Sequence, residues 1–247
     1  MRIRLLAALC VSLGVVALEA KYNPTKCLEG EKHKEVPSPE GDDYKACLAY
    51  RDRTCCTAKF TEQLAQATVT SIDNFHWNRC GALSKSCEAF MIHVECFYRC
   101  SPNVNNWANP DYPSAMKFVP VCGSFCDRWY SACRKDLSCA TDWISDWNYT
   151  EVSGNQCRDD AQCLSFETRY ADGKALCEKM WGLSFRYVND SISNDKCLMM
   201  DGVDFVKHND VAVKAIFDAS GSEKVLGHGG LISILCTVFW LTLKCLA

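Results

Sequence analysis

Two kinds of side chain in this sequence can do chemistry, cysteines and aromatics. Cys96 and Cys100 lie one helical turn apart, as do Cys122 and Cys126, while Cys55 and Cys56 are adjacent. One-turn spacing can suit a metal ion, but zinc sites usually draw on closer Cys pairs or on histidines as well. The five histidines here are scattered, so no metal is expected. Adjacent cysteines cannot easily bridge each other, so Cys55 and Cys56 must reach two different partners. Among the aromatics, Tyr98 shares one helical face with Cys87, Phe90, Met91 and Val94. Trp143 and Trp147 are four residues apart with Tyr149 just beyond, and Trp181 stands close to Ser184. Flat rings on rigid elements can stack on a planar ligand, at about 0.5–1.5 kcal/mol per ring beyond the area buried. They can equally fill a core. Tyr98 suits either role, and so does the Trp143–Tyr149 cluster. No enzyme is expected: there is no Gly-x-Ser-x-Gly elbow, no His-Glu-x-x-His and no phosphate-cradling glycine loop. Cysteines held in bridges have no free thiolate to act as nucleophiles.

These residues need rigid elements to position them. The three- and four-residue recurrence through Val94 and Tyr98 predicts a helix ending at Ser101-Pro102, with Ser84 or Ser86 as its N-cap. Cys96 and Cys100 lie on its flank, each free to bridge a different element. A second helix is expected from about Val121 to Arg134, with Pro120 at its start. A third runs from about Gly173 to Trp181 and stops at Gly182. Phe60 to Leu64 reads as helical, and Ala67 to Ile72 as a short strand or extended link. Lys21 to Asp43, charged and dotted with prolines, reads as irregular and tied down by Cys27.

Of 247 residues, 48% are hydrophobic and the formal charge is -3, so nothing marks a nucleic-acid partner. The ends indicate the compartment. Met1-Arg-Ile-Arg4 and the apolar run Leu5 to Leu18 form a secretory signal, cleaved after Ala17 or Ala20. Ala219-Ser-Gly-Ser222, a polar spacer and the apolar stretch Leu231 to Ala247 form the pattern of a glycosylphosphatidylinositol anchor signal, with Ser220 as the expected attachment residue. That would tie the protein to the outer membrane leaflet. The expected division is signal peptide 1–20, one folded domain 21–200, a stalk 201–222 and an anchor propeptide 223–247. Setting aside Cys10, Cys236 and Cys245 leaves sixteen of the 19 cysteines: Cys27, Cys47, Cys55, Cys56, Cys80, Cys87, Cys96, Cys100, Cys122, Cys126, Cys133, Cys139, Cys157, Cys163, Cys177 and Cys197. An even number in an oxidising compartment implies a disulfide framework whose pairing the sequence leaves open. Asn148-Tyr-Thr150 and Asn189-Asp-Ser191 are glycosylation sequons.

Longer motifs now carry a resemblance. Trp77-Asn-Arg-Cys-Gly81, Glu95-Cys-Phe-Tyr-Arg-Cys-Ser-Pro102, Val119-Pro-Val-Cys122, Phe125-Cys-Asp-Arg-Trp-Tyr130 and Met180-Trp-Gly182 resemble the folate receptor family from about Cys27 to Cys197. Cys27-Leu-Glu-Gly30, Pro37-Ser-Pro-Glu40 and Phe60-Thr-Glu-Gln-Leu-Ala65 look most like its riboflavin-binding members. The resemblance implies a single disulfide-rich α+β domain with several helices, short β-strands and a deep aromatic pocket. It further implies that a flat isoalloxazine is stacked between Tyr98 and Trp181. Phe75, Trp77, Trp143, Trp147 and Tyr149 match aromatic pocket positions, and Ser184 a polar contact. Folate receptors place an aspartate four residues before the tyrosine, where this chain has Val94, with Glu95 expected to face elsewhere. Their Trp-Arg-Lys-Glu-Arg run is Asp111-Tyr-Pro-Ser-Ala115 here. Loss of both charged features favours neutral riboflavin over folate. An anchored adhesion protein on the same scaffold is the remaining alternative. His33, His76 and His93 are candidate groups for releasing cargo in acidified vesicles.

Overall fold

The computed structural model describes residues 25–219. The signal peptide, the anchor signal and Ser220 lie outside the described residues. Helices are α1 (Ala58–Leu64), α2 (Lys85–Cys100), α3 (Gly123–Cys133), α4 (Phe166–Arg169), α5 (Gly173–Lys179) and α6 (Asp190–Ser193), followed by a helical segment over residues 205–219, α7. Strands are short: β1 (Ser71–Ile72), β2 (Phe75–His76), β3 (Val119–Cys122), β4 (Leu137–Ser138), β5 (Asn148–Thr150), β6 (Gly154–Gln156), β7 (Leu164–Ser165) and β8 (Phe185–Val188). They form two-stranded pairs, β1-β2, β3-β8, β4-β7 and β5-β6. Helices and paired short strands around one aromatic core make the α+β class expected. Among the described residues no helix is long and apolar enough to cross a membrane.

Helix α2 is the centre of the domain. Ser84 caps it by accepting from the Cys87 amide, and Asp136 in turn accepts from the Ser84 amide at 2.6 Å and from its hydroxyl at 2.7 Å. Its inward face buries Cys87, Met91, Val94 and Phe97, and Pro102 disfavours continuation beyond Ser101. Three bridges fix it: Cys47–Cys96, Cys56–Cys100 and Cys87–Cys133. The others are Cys27–Cys55, Cys80–Cys163, Cys122–Cys197, Cys126–Cys177 and Cys139–Cys157. All sixteen cysteines are thus paired, and the neighbours Cys55 and Cys56 do diverge.

Residues 119–122 do not open a helix. Val119, Pro120, Val121 and Cys122 are all buried and pair in parallel with Phe185 to Val188. Such a strand carries a continuous apolar run, because both of its faces are covered. Leu198 adds a bond on the other side, its amide donating to the Pro120 carbonyl at 2.8 Å. The helix therefore begins at Gly123, where a Cβ would stand 2.3 Å from the Tyr187 ring. Helix α5 follows the expected course, with the Asp172 carboxylate accepting from the Ala175 amide and Gly182 at a φ of 55°.

Within the stretch expected to be a stalk, residues 205–219 are helical. Helix α7 lies on the domain, burying Phe205, Ala212 and Val213. Asn209, fully buried, accepts from the Met199 amide at 2.7 Å and donates to the Met199 carbonyl at 2.8 Å. Asp210 pairs with Arg53 and accepts from Asn103. Leaving both Met199 groups without partners would cost about 2 kcal/mol. Asn209→Ala is therefore expected to lower the denaturant midpoint of unfolding, while ligand affinity, decided elsewhere, stays the same. An unchanged midpoint would mean that α7 is not part of the cooperative unit.

Candidate functional site

A cavity of about 220 Å³ opens between α2, the β1-β2 hairpin, the segment before β3 and the end of α5. A two-residue turn makes the hairpin: Asp73 and Asn74 both have positive φ, 48° and 62°, the geometry that matches strand twist in a tight hairpin. This turn presents Ile72 and Phe75 to the cavity. Val94, Glu95, Tyr98 and Arg99 line it from α2, Ala115 and Met116 from the loop, and Trp181, Ser184 and Phe185 from the α5–β8 connection. Ile144 and Lys32 complete the wall.

Tyr98 and Trp181 are held from behind. The Tyr98 hydroxyl donates to the Ser114 carbonyl at 2.8 Å, and His33 sits edge-on to the ring at 5.1 Å. Trp181 packs against Phe75 at 5.9 Å and Trp143 at 5.7 Å. Tyr98 and Trp181 line the same cavity without a ring contact between them. Trp143 is 1% exposed, and its indole N–H donates to Ser138 Oγ. It does not line the cavity but buttresses the rings that do. Trp147 packs on Phe75 and Trp143, Trp77 is buried in the core, and Tyr149 is exposed. Of the eight residues assigned to the ligand from sequence, Tyr98, Trp181, Phe75 and Ser184 line the cavity; Trp77, Trp143, Trp147 and Tyr149 do not. Asn148 and Asn189 are both exposed, as sequons require.

Glu95 corrects the sequence expectation, since it faces this cavity rather than away from it. A helical residue next to Val94 is rotated by roughly 100°, but the cavity is wide enough to be lined by both. Arg99 lies one turn on, and its Nη1 reaches Asp73 Oδ2 at 2.7 Å while its Nε reaches Glu95 Oε2 at 3.3 Å. Burial alone would push Asp73 up, yet the Arg99 guanidinium outweighs it and holds that carboxyl below its usual range. Burial wins at Glu95, which is raised despite Arg99 and Lys32. The difference follows burial, since the Asp73 side chain is 36% exposed and that of Glu95 only 10%. Lys32 is lowered, first by burial and then by Arg99. The sequence omitted Lys32 and Asp73 because neither falls in a helical pattern; the Asp-Asn pair between Ile72 and Phe75 was the available hairpin signal.

All three histidines considered as acid sensors are lowered, which works against their charging in acidified vesicles. Burial pushes His33 down to about 4, and His76 and His93 are also lowered, again chiefly by burial. A lowered histidine is neutral in the fold, so its protonation is resisted until the pH nears the folded value. Affinity is therefore expected to stay flat from pH 7 to 5 and to fall only towards pH 4, in a ligand titration across that range. Stability behaves differently: the unfolded chain takes up the His33 proton near 6.5, so this group's contribution declines from there down to about 4. A weakening of binding centred on pH 6 would contradict the assignment.

Comparison with known proteins places this geometry. Residues 26–199 match the folate receptor family. The riboflavin-binding protein of Gallus gallus is 44% identical over 196 residues, covering 79% of this chain and 80% of that protein. That of Dromaius novaehollandiae is 43% identical with the same coverage. Folate receptor gamma of Homo sapiens is 35% identical over 179 residues, covering 70% of this chain and 72% of the receptor. With its family match, its paired cysteines and its aromatic-walled cavity, this chain belongs to the folate receptor family.

Proposed function

We propose that this protein binds riboflavin without transforming it, stacking the isoalloxazine between Tyr98 and Trp181 for capture or uptake at the cell surface. The observation that carries the reading is that both rings line one cavity whose remaining wall is largely apolar: Ile72, Phe75, Val94, Met116 and Phe185. An enclosed apolar slot with a few polar groups suits a flat, uncharged ring system. The charged groups at its edge, Lys32 and Arg99 against Asp73 and Glu95, sum to zero, which also favours a neutral guest. Relatives named for riboflavin binding share more of the sequence than those named for folate. Secretion, glycosylation at Asn148 and Asn189 and a lipid anchor at Ser220 fit a receptor on the extracellular face of the plasma membrane.

Folate is the second reading, because Glu95 and Lys32 supply the cavity wall with a carboxylate and a cation at positions other than those of the folate receptor motifs. Titration of the purified protein against riboflavin fluorescence, with folate as competitor, decides between them. Quenching by riboflavin that folate does not reverse is expected. Absence of quenching with retained folate binding would reverse the assignment, and binding of neither would favour the adhesion alternative.

A further inference from the structure

Ala115 and Met116, which line the cavity, belong to a loop whose hydrogen bonds return to its own root. The Asn109 amide donates to the Ala115 carbonyl and the Lys117 amide to the Trp107 carbonyl, both at 2.8 Å, and Ala108 pairs with Met116 in an antiparallel bridge. The same loop supplies the Ser114 carbonyl that accepts from the Tyr98 hydroxyl. Its tip, from Pro110 to Ser114, is exposed. A single short ladder is marginal by itself, so its place in the domain depends on what holds the root. That root is Val104–Trp107, one tight helical turn with buried Asn103 at its start. Helix α7 grips the turn at both ends. Asp210 accepts from Asn103 Nδ2 at 2.9 Å, and the Phe217 ring meets the Trp107 ring edge-on at 5.4 Å. Asp210 and Phe217 stand about two helical turns apart with buried Val213 between them, so all three share the inward face of α7. Helix α7 lies outside residues 26–199, the stretch that matches the family.

We propose that Phe217 is a positioning residue for the ligand cavity: through Trp107 it holds the 108–116 loop where Met116 forms wall and the Ser114 carbonyl meets Tyr98. Asp210 fixes the far end of the same turn, so without Phe217 the turn is pinned at Asn103 alone and free to pivot there. The loop then carries Met116 away from the cavity and loosens the partner of the Tyr98 hydroxyl. Affinity falls although no side chain lining the cavity has been altered. Asn209, by contrast, is bonded to Met199 and not to the turn, so its loss acts on stability and leaves the Phe217 contact in place. The inference rests on the reading of this cavity as the flavin site and adds to it a support that lies behind the wall.

Amide hydrogen exchange of the ligand-free protein and riboflavin titration of the same variants test it separately. Phe217 is half-buried, so Phe217→Ala should fold. Its Asn109 and Lys117 amides should exchange about fivefold faster than in the unaltered protein, while amides in the middle of α2 keep their rates. Riboflavin affinity should fall by about fivefold, the scale of one aromatic pair, and Phe217→Tyr, which keeps the ring, should restore it. Asn209→Ala is the control for stability: its unfolding midpoint should drop with loop exchange and affinity unchanged. Unaltered exchange at Asn109 and Lys117 in Phe217→Ala would overturn the proposal while leaving the flavin reading intact. So would equal affinity losses in Phe217→Ala and Asn209→Ala, since affinity would then merely follow stability. If the unaltered protein binds no riboflavin, the flavin reading fails, and exchange at the loop amides alone decides for or against the clamp.

Discussion

Replacing Trp181 by alanine is expected to raise the riboflavin dissociation constant by about two orders of magnitude. Truncating a large aromatic at the centre of a binding surface costs about 2–4 kcal/mol, and each 1.4 kcal/mol is tenfold. Both parts of that cost apply here. The stack itself is lost, and water gains access to the face of the ligand that the indole covered. The indole is also the residue that Phe75 and Trp143 lean on, so a share of the effect will come through their relaxation. Trp181→Phe separates the two, because it keeps a flat face while shortening the wall; its loss should fall well below that of alanine. Tyr98→Phe should be milder still, since the ring remains and only the bond to the Ser114 carbonyl is removed. Fluorescence titration of the three variants, with thermal unfolding as a check on the fold, tests the ordering. Unaltered riboflavin affinity in Trp181→Ala would remove the stacking model altogether.

How much of this was legible in the sequence depends on the range over which each signal acts. Helix α2 was readable because its cap, its apolar stripe and its terminating proline are all local. The cysteines announced a framework but not its pairing, since bridges such as Cys80–Cys163 join residues 83 apart. Strand β3 was misread for a similar reason: Val119 to Cys122 finds its hydrogen-bond partner at Phe185 to Val188, and a proline before an apolar run resembles a helix start until that partner is known. The site divided along the same line. Tyr98 and Trp181 were assigned through motifs shared with a family, whereas Lys32 and Glu95 depend on which face of a loop or helix meets the cavity. Trp77 and Trp143 carried the right residue type at matching positions, yet packing places them behind the wall. Aromatic density marks a pocket's neighbourhood; only coordinates divide lining from buttress.

Reduction of the bridges should abolish riboflavin binding, and the individual bridges should differ in a way that follows the geometry. Closing a loop in the unfolded chain removes entropy that grows with loop length. By that relation Cys139–Cys157, 18 residues apart, contributes about 3 kcal/mol, and Cys80–Cys163, 83 apart, about 4.5 kcal/mol. A domain of this size is stable by about 5–15 kcal/mol in total. Losing several bridges therefore exceeds its whole margin. Loop length is not the only consideration, because Cys47–Cys96 and Cys56–Cys100 both grip the C-terminal half of α2, on either side of Tyr98. Paired Cys→Ser replacement there should release the ring along with the helix end. The Cys139–Cys157 pair bounds a loop that carries Trp143 and Trp147 but none of the α2 side chains. Its removal should lower stability while leaving most of the affinity in whatever fraction remains folded. Measured by titration below the unfolding transition, the expected order of affinity loss is Cys56/Cys100 and Cys47/Cys96 first, Cys139/Cys157 last. Undiminished binding after complete reduction would show that the non-covalent core alone holds Tyr98 opposite Trp181.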